Sequence, residues 1–198
     1  MGRTGRTTAI AQAEHARRLL RETEEIEARV AAIGRDLSER QLAWQPPDGG
    51  WSVAQVFEHL CVAHDSYATR LEEILARTVT PRAAAGATWR PSLAGGFLAR
   101  ALSPQSTRKL PAPRSYRVGP GVRPGVVAEF LRRERDLAAY MTRAAPLDWR
   151  RVRTSSPISP LIPLNLGDCF TILVVHAQRH LGQIERLVGH QDFPRAAS

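Results

Sequence analysis

The chain is poor in several residue types, and each shortage removes a class of function. It has two cysteines in 198 residues, Cys61 and Cys169. That is too few for a disulfide framework, and both fall in helical patterns, where a free thiol serves as a small buried hydrophobe. Lys109 is the only lysine, so a net charge of +9 and an isoelectric point near 11.0 are carried by arginines scattered among alanines and prolines. Such scatter is a bias of composition. With aromatics at 6%, no stripe of arginine interleaved with rings appears, and no zinc-finger, RRM or KH pattern. The charge alone does not argue for a nucleic-acid partner. The apolar run ILVV (172–175) is far too short to span a bilayer, and the N-terminal MGRTGRTTAIAQAEHARR never develops an apolar core. A cytoplasmic protein without membrane contact is expected. There is no GxSxG nucleophile elbow and no GxxxxGK[ST] phosphate loop. The glycines of GPGVRPG (119–125) precede a helix but follow no strand, so they read as a turn.

What is present is helical. Hydrophobic and charged contents of 43% and 24% suit one domain, residues 1–198, with a single core. The spacing predicts a first helix over 8–35, with Leu20, Ile26, Val30, Ile33 and Leu37 on its apolar face. WQPPDGGW then enforces a turn. Ser52, with Gln55 three residues on, marks the capped start of a second helix over 52–78. Prolines and glycines fill 79–123, leaving room for one short helix around Ser92 to Leu102. A third helix is expected over 124–144, with Pro124 in its first turn. PISPLIP reads as extended, and Asn165 caps a fourth helix over 166–189, with Asp168 near its positive end. No segment alternates convincingly enough to be a strand. The expected class is all-α: a four-helix bundle whose long irregular connection crosses over between the second and third helices.

Chemistry concentrates in the fourth helix, FTILVVHAQRHLGQIERL. His176 and His180 are one turn apart and share a stripe with Cys169, Leu173, Gln183 and Leu187. On the second helix His59 shares an inward stripe with Gln55, Val56 and Ala63. A lone histidine on an apolar face is ordinarily a hydrogen-bonded core residue. Three on two facing stripes are hard to satisfy without a metal or water, and imidazoles are ligands that leave coordination positions open. The protease motif HExxH is absent, because Ala177 stands where its glutamate would be. Gln183 could orient a water or a substrate oxygen, or simply cap the inner stripe. Glu58 points away from His59 and is not assigned as a base. Cys169 is too far along the helix to join a metal. His15, His64 and His190 read as solvated or structural.

These segments, in this order, resemble the DinB/YfiT-like metal-binding superfamily. WSVAQVFEHL after a Pro-Gly turn, KLPAPRSYRVGPG before the third helix, SSPISPLIPLNLGDCF, and HAQRHLGQ carry the resemblance over nearly the whole chain. It implies a four-helix bundle with a crossover after the second helix. It also implies a divalent metal, zinc or nickel, held by His59, His176 and His180. Members are often homodimers. Characterised relatives include S-transferases and isomerases that use low-molecular-weight thiols such as mycothiol or bacillithiol, and many members have no established activity. The family name refers to damage-inducible expression and implies no polymerase. The leading reading is therefore a metal-dependent small-molecule S-transferase or hydrolase that activates a thiol or water. The residues 81–121 would help to wall its pocket, which Trp89 or Tyr116 could line. The alternative is a non-catalytic metal-binding protein of stress response or sensing. A closed four-ligand metal would favour the alternative, and an open position facing a pocket the enzyme.

Overall fold

Four of the six described α-helices start on a capping side chain, Ser38, Ser52, Ser92 or Asn165. The computed structural model describes residues 9–77, 79–106, 112–119, 121 and 123–195. The expected helix limits Thr8 and Thr78, and residues 109–111 and 120 of KLPAPRSYRVGPG, lie outside them. Four long helices form: α1 (Gln12–Gly34), α3 (Val53–Leu75), α5 (Val126–Arg143) and α6 (Leu166–Val188), with short helices α2 (Glu39–Ala43) and α4 (Leu93–Leu102) between them. Ser52 accepts a hydrogen bond from the Gln55 amide while Gln55 Oε1 accepts from the Ser52 amide, a reciprocal cap that fixes the first turn of α3. Asn165 and Asp168 do the same for α6 at 2.9 Å in each direction. Ser38 and Gln41 repeat the device at α2, which the spacing had not singled out.

α5 starts differently from its expected form. Gly125 caps it with φ +72°, a left-handed conformation that glycine adopts freely, so Pro124 lies outside the helix. On α1 the buried face is Gln12, His15, Leu19, Thr23, Ile26 and Val30, so Leu19 rather than Leu20 is fully buried in its second turn.

Each of α1 and α3 packs against both α5 and α6. The core between them includes Leu19, Ile26, Phe57, Leu60, Phe130, Leu137, Phe170 and Ile184, all 1% exposed or less. Burying a side chain of this size contributes about 1.5–3 kcal/mol. Trp149 seals one end with no exposure, its indole donating to the Ala144 carbonyl at 2.9 Å.

The expectation of no strands fails in two places. β1 (Ile10–Ala11) pairs with β2 (Thr88–Trp89), and β3 (Arg153–Ser156) pairs with β4 (Ser159–Asn165), both antiparallel. The first ladder is two residues long, too short for any periodicity. The second contains Pro160 and Pro163, which edge positions tolerate, and its register shifts between Ser155 and Ser156. PISPLIP is extended, as expected, only from Ser159 on; Pro157 and Ile158 form the turn of this hairpin.

The expected short helix in the α3–α5 connection is α4, capped by Ser92 and packed on α6 and β4. Two glycines permit this packing. A Cβ on Gly95 would run into the Asp168 carboxylate, and one on Gly167 into the Trp89 indole. No described helix is long and apolar enough to cross a membrane.

Candidate metal centre

The buried face of α3 turns His59 inward, and that of α6 does the same for His176, with His180 one turn further on. The three imidazoles meet in the core. His59 Nε2 lies 3.3 Å from His176 Nε2, and His176 Nε2 lies 3.0 Å from His180 Nε2. Among the described residues these three form the one group of three or more donors able to share a metal ion, with their ligand atoms within 4.8 Å of one another. His59 is 4% and His176 8% exposed, while His180 is half-buried.

The outer ring nitrogens decide the tautomers. His59 Nδ1 lies 2.9 Å from the Tyr116 carbonyl, which can only accept, so Nδ1 carries the proton and Nε2 presents a lone pair inward. His180 Nδ1 donates in the same way to Gln183 Oε1 at 2.9 Å. Two lone pairs thus face His176 Nε2, and one proton there cannot satisfy both. A cation can. Nitrogen donors 2.0–2.1 Å from a metal are separated by about 2.9 Å at right angles and about 3.3 Å at the tetrahedral angle. The observed 3.0 and 3.3 Å fall on those edges.

Electrostatics keep the donors ready. Burial pushes the His59 pKa down, against the opposing effect of the hydrogen bond that Nδ1 donates to the Tyr116 carbonyl. Burial and the neighbouring His180 and His59 hold His176 well below its ordinary value. Burial, aided by His59, pushes His180 down to about 4. All three are neutral at pH 7, the form that binds metal. The Trp51 ring lies 4.9 Å from His59 and 6.4 Å from His180, nearly parallel to the latter. It was not anticipated, although it directly precedes the Ser52 cap. Arg179, between the two α6 histidines, donates to the Ser103 and Ser106 carbonyls and ties the end of α4 to α6.

Other candidates are placed elsewhere. Tyr116 adjoins the site, its hydroxyl bonded to Ser66 at 2.5 Å. Trp89 does not: it stacks on His15 at 3.9 Å and donates to Asn165 Oδ1. Glu58 faces Arg123 at 3.8 Å. Cys61 and Cys169 are free and buried, and burial raises both thiols, Cys61 to about 11. His190 packs near Trp44 at the surface. His15 and His64 are not solvated. His15 is 1% exposed, with Nε2 against Thr171 Oγ1 and Nδ1 accepting from Arg18. His64 is 4% exposed and faces Glu134 across the α3–α5 interface.

Fold and site together define a mostly helical bundle protein with a three-histidine cluster at its centre. The chain belongs to the DinB superfamily, whose family model matches residues 22–184. Its structure is similar to that of YfiT from Bacillus subtilis, with a TM-score of 0.60 and 18% identity over 98% of this chain and 97% of that one. YfiT is described as a probable metal-dependent hydrolase with an unusual four-helix bundle topology. At that identity the likeness speaks for the fold alone. No match was found among curated proteins.

Proposed function

We propose that the chain is a metal-dependent hydrolase or S-transferase acting on a small electrophile, with His59, His176 and His180 as its metal ligands. The observation that carries this reading is the convergence of three neutral Nε2 donors, two with their tautomers locked by outer hydrogen bonds. Zinc or nickel bound there supplies Lewis acidity that makes a water or a low-molecular-weight thiol nucleophilic at neutral pH.

The chain's own residues supply position and enclosure. The Tyr116 carbonyl and Gln183 aim two donors. Gln183 is engaged with His180, so its role is to orient that ring rather than to move a proton. Ala177 offers no base, so proton acceptance falls to the nucleophile's own environment or the substrate. Trp51 walls the half-buried His180 side, where a substrate can approach. The segment 81–121 is the crossover of a single domain and carries Tyr116 to the site. The resemblance further supports a cytoplasmic homodimer, which light scattering on the purified chain checks.

The deciding experiment is metal analysis of purified wild type against His180→Ala, followed by turnover of ester and thiol-acceptor panels with and without added metal. Loss of bound metal and of turnover together is expected. Equal metal in both proteins would sink the ligand assignment. Bound metal without turnover on any panel would favour a sensory or stress-response role.

A further inference from the structure

A second pair of donor atoms is buried in this bundle, on a different helix pair. His64 of α3 and Glu134 of α5 are 4% and 0% exposed. His64 Nε2 lies 3.2 Å from Glu134 Oε1, yet neither atom makes a hydrogen bond, and Glu134 Oε2 has no partner either. A carboxylate left so deep without a donor costs several kcal/mol. A proton shared between the two would need the oxygen close to the N–H direction, within about 30° of linear. At 3.2 Å the distance suffices, so it is direction that fails.

A cation makes the opposite demand. Two donors each about 2.0–2.1 Å from one ion, at the tetrahedral angle, stand about 3.3 Å apart with the oxygen well off the ring nitrogen's axis. A separation of 3.2 Å without a hydrogen bond is compatible with that relation. The Phe130 ring meets the His64 ring edge to face at 5.7 Å and holds its plane. Beside His64 lies a cavity of about 30 Å³, lined in part by Asp65, Arg133, Asp136 and Tyr140. It has room for the one or two waters that would complete a coordination shell. The paired Asp65 and Arg133, 2.7 Å apart, stand at its outer wall.

We infer that His64 and Glu134 form a second metal-ion site, taking a divalent transition-metal ion on one imidazole nitrogen and one carboxylate, with water in the adjoining cavity. Mixed nitrogen and oxygen donors suit such ions. The site shares no ligand with the three-histidine cluster, although His64 lies close enough for its charge to act on His176.

The test is the number of Co²⁺ ions bound per chain by the full-length protein after chelator treatment, read by equilibrium dialysis. Wild type is expected to hold two, His180→Ala one, Glu134→Gln one, and the double variant none. Equal uptake by wild type and Glu134→Gln overturns the inference. One ion in wild type, lost in His180→Ala and kept in Glu134→Gln, overturns it while sparing the three-histidine reading. The reverse pattern spares it and overturns that reading. Should Glu134→Gln fail to fold, the apolar replacement His64→Leu with Glu134→Leu decides by the same count, since buried ion pairs are commonly replaceable by packed hydrophobes.

Discussion

Lowering the pH should unfold this protein partly through His15, a residue outside the metal cluster. Its ring is stacked on Trp89 at 3.9 Å with 1% exposure, and burial, aided by the charge of Arg18, pushes its pKa from 6.5 down to about 3. The structure also shows why the proton is refused. Arg18 already donates to Nδ1, and the proton on Nε2 is used on Thr171 Oγ1, whose own hydroxyl is given to the Gly167 carbonyl. A second ring proton would point at a guanidinium. Because the folded pKa lies below the unfolded one, the unfolded chain takes up the proton first as pH falls. This contribution to stability is fully present above pH 6.5 and is lost progressively as pH drops towards 3. At 1.36 kcal/mol per unit, the loss from pH 7 to pH 4 is about 3 kcal/mol for this group. The three clustered histidines shift in the same direction, so the comparison must isolate His15. His15→Phe keeps a flat ring against Trp89 and cannot titrate. Urea unfolding of metal-free wild type and His15→Phe at half-unit steps of pH gives the two stability curves. The variant should be less stable at pH 7, having lost two hydrogen bonds worth about 1 kcal/mol each. Its curve should then fall less steeply, so that the gap closes or reverses by pH 4. Parallel curves would refute the assignment of His15 as a neutral, proton-refusing core residue.

Three other substitutions test separate links. Gln183→Leu removes the acceptor that holds His180 Nδ1. Metal affinity, measured by competition with a chromophoric chelator, should fall about 10- to 100-fold, and an unchanged affinity would deny Gln183 its orienting role. Gly167→Ala drives a methyl into the Trp89 indole. It should cost about 1–3 kcal/mol in thermal unfolding, whereas a neutral result would mean that β2 does not seat on α6 as described. Ser52→Ala removes one half of the α3 cap and should cost about 1 kcal/mol of stability. Metal uptake at saturation should be unaffected, because His59 lies nearly two turns inside the helix. Loss of the metal itself would tie the cap to the site more closely than this geometry allows.

The limits of the sequence follow a physical division. Helices α3 and α6 were legible because their caps are local: Ser52 with Gln55 and Asn165 with Asp168 act over three residues, and 3.6-residue spacing needs no partner. The inward placement of His59, His176 and His180 was legible for the same reason, since stripes of apolar neighbours announce a buried face. What stayed hidden depends on contacts distant in sequence. Local spacing read His15 and His64 as solvated or structural and could not decide between the two, because their burial rests on Trp89, Thr171 and Glu134, at least 70 residues away in each case. The β1–β2 ladder is two residues long and joins segments almost 80 residues apart, so no local pattern can encode it. The support of His59 is more obscure still. It comes from a main-chain carbonyl, that of Tyr116, which any residue type could present. Side-chain donors leave a trace in the sequence; backbone acceptors leave none. The candidate ligands of a site such as this can therefore be read from residue types, while the backbone group that fixes the His59 tautomer emerges only when the connecting segment has been folded onto the bundle.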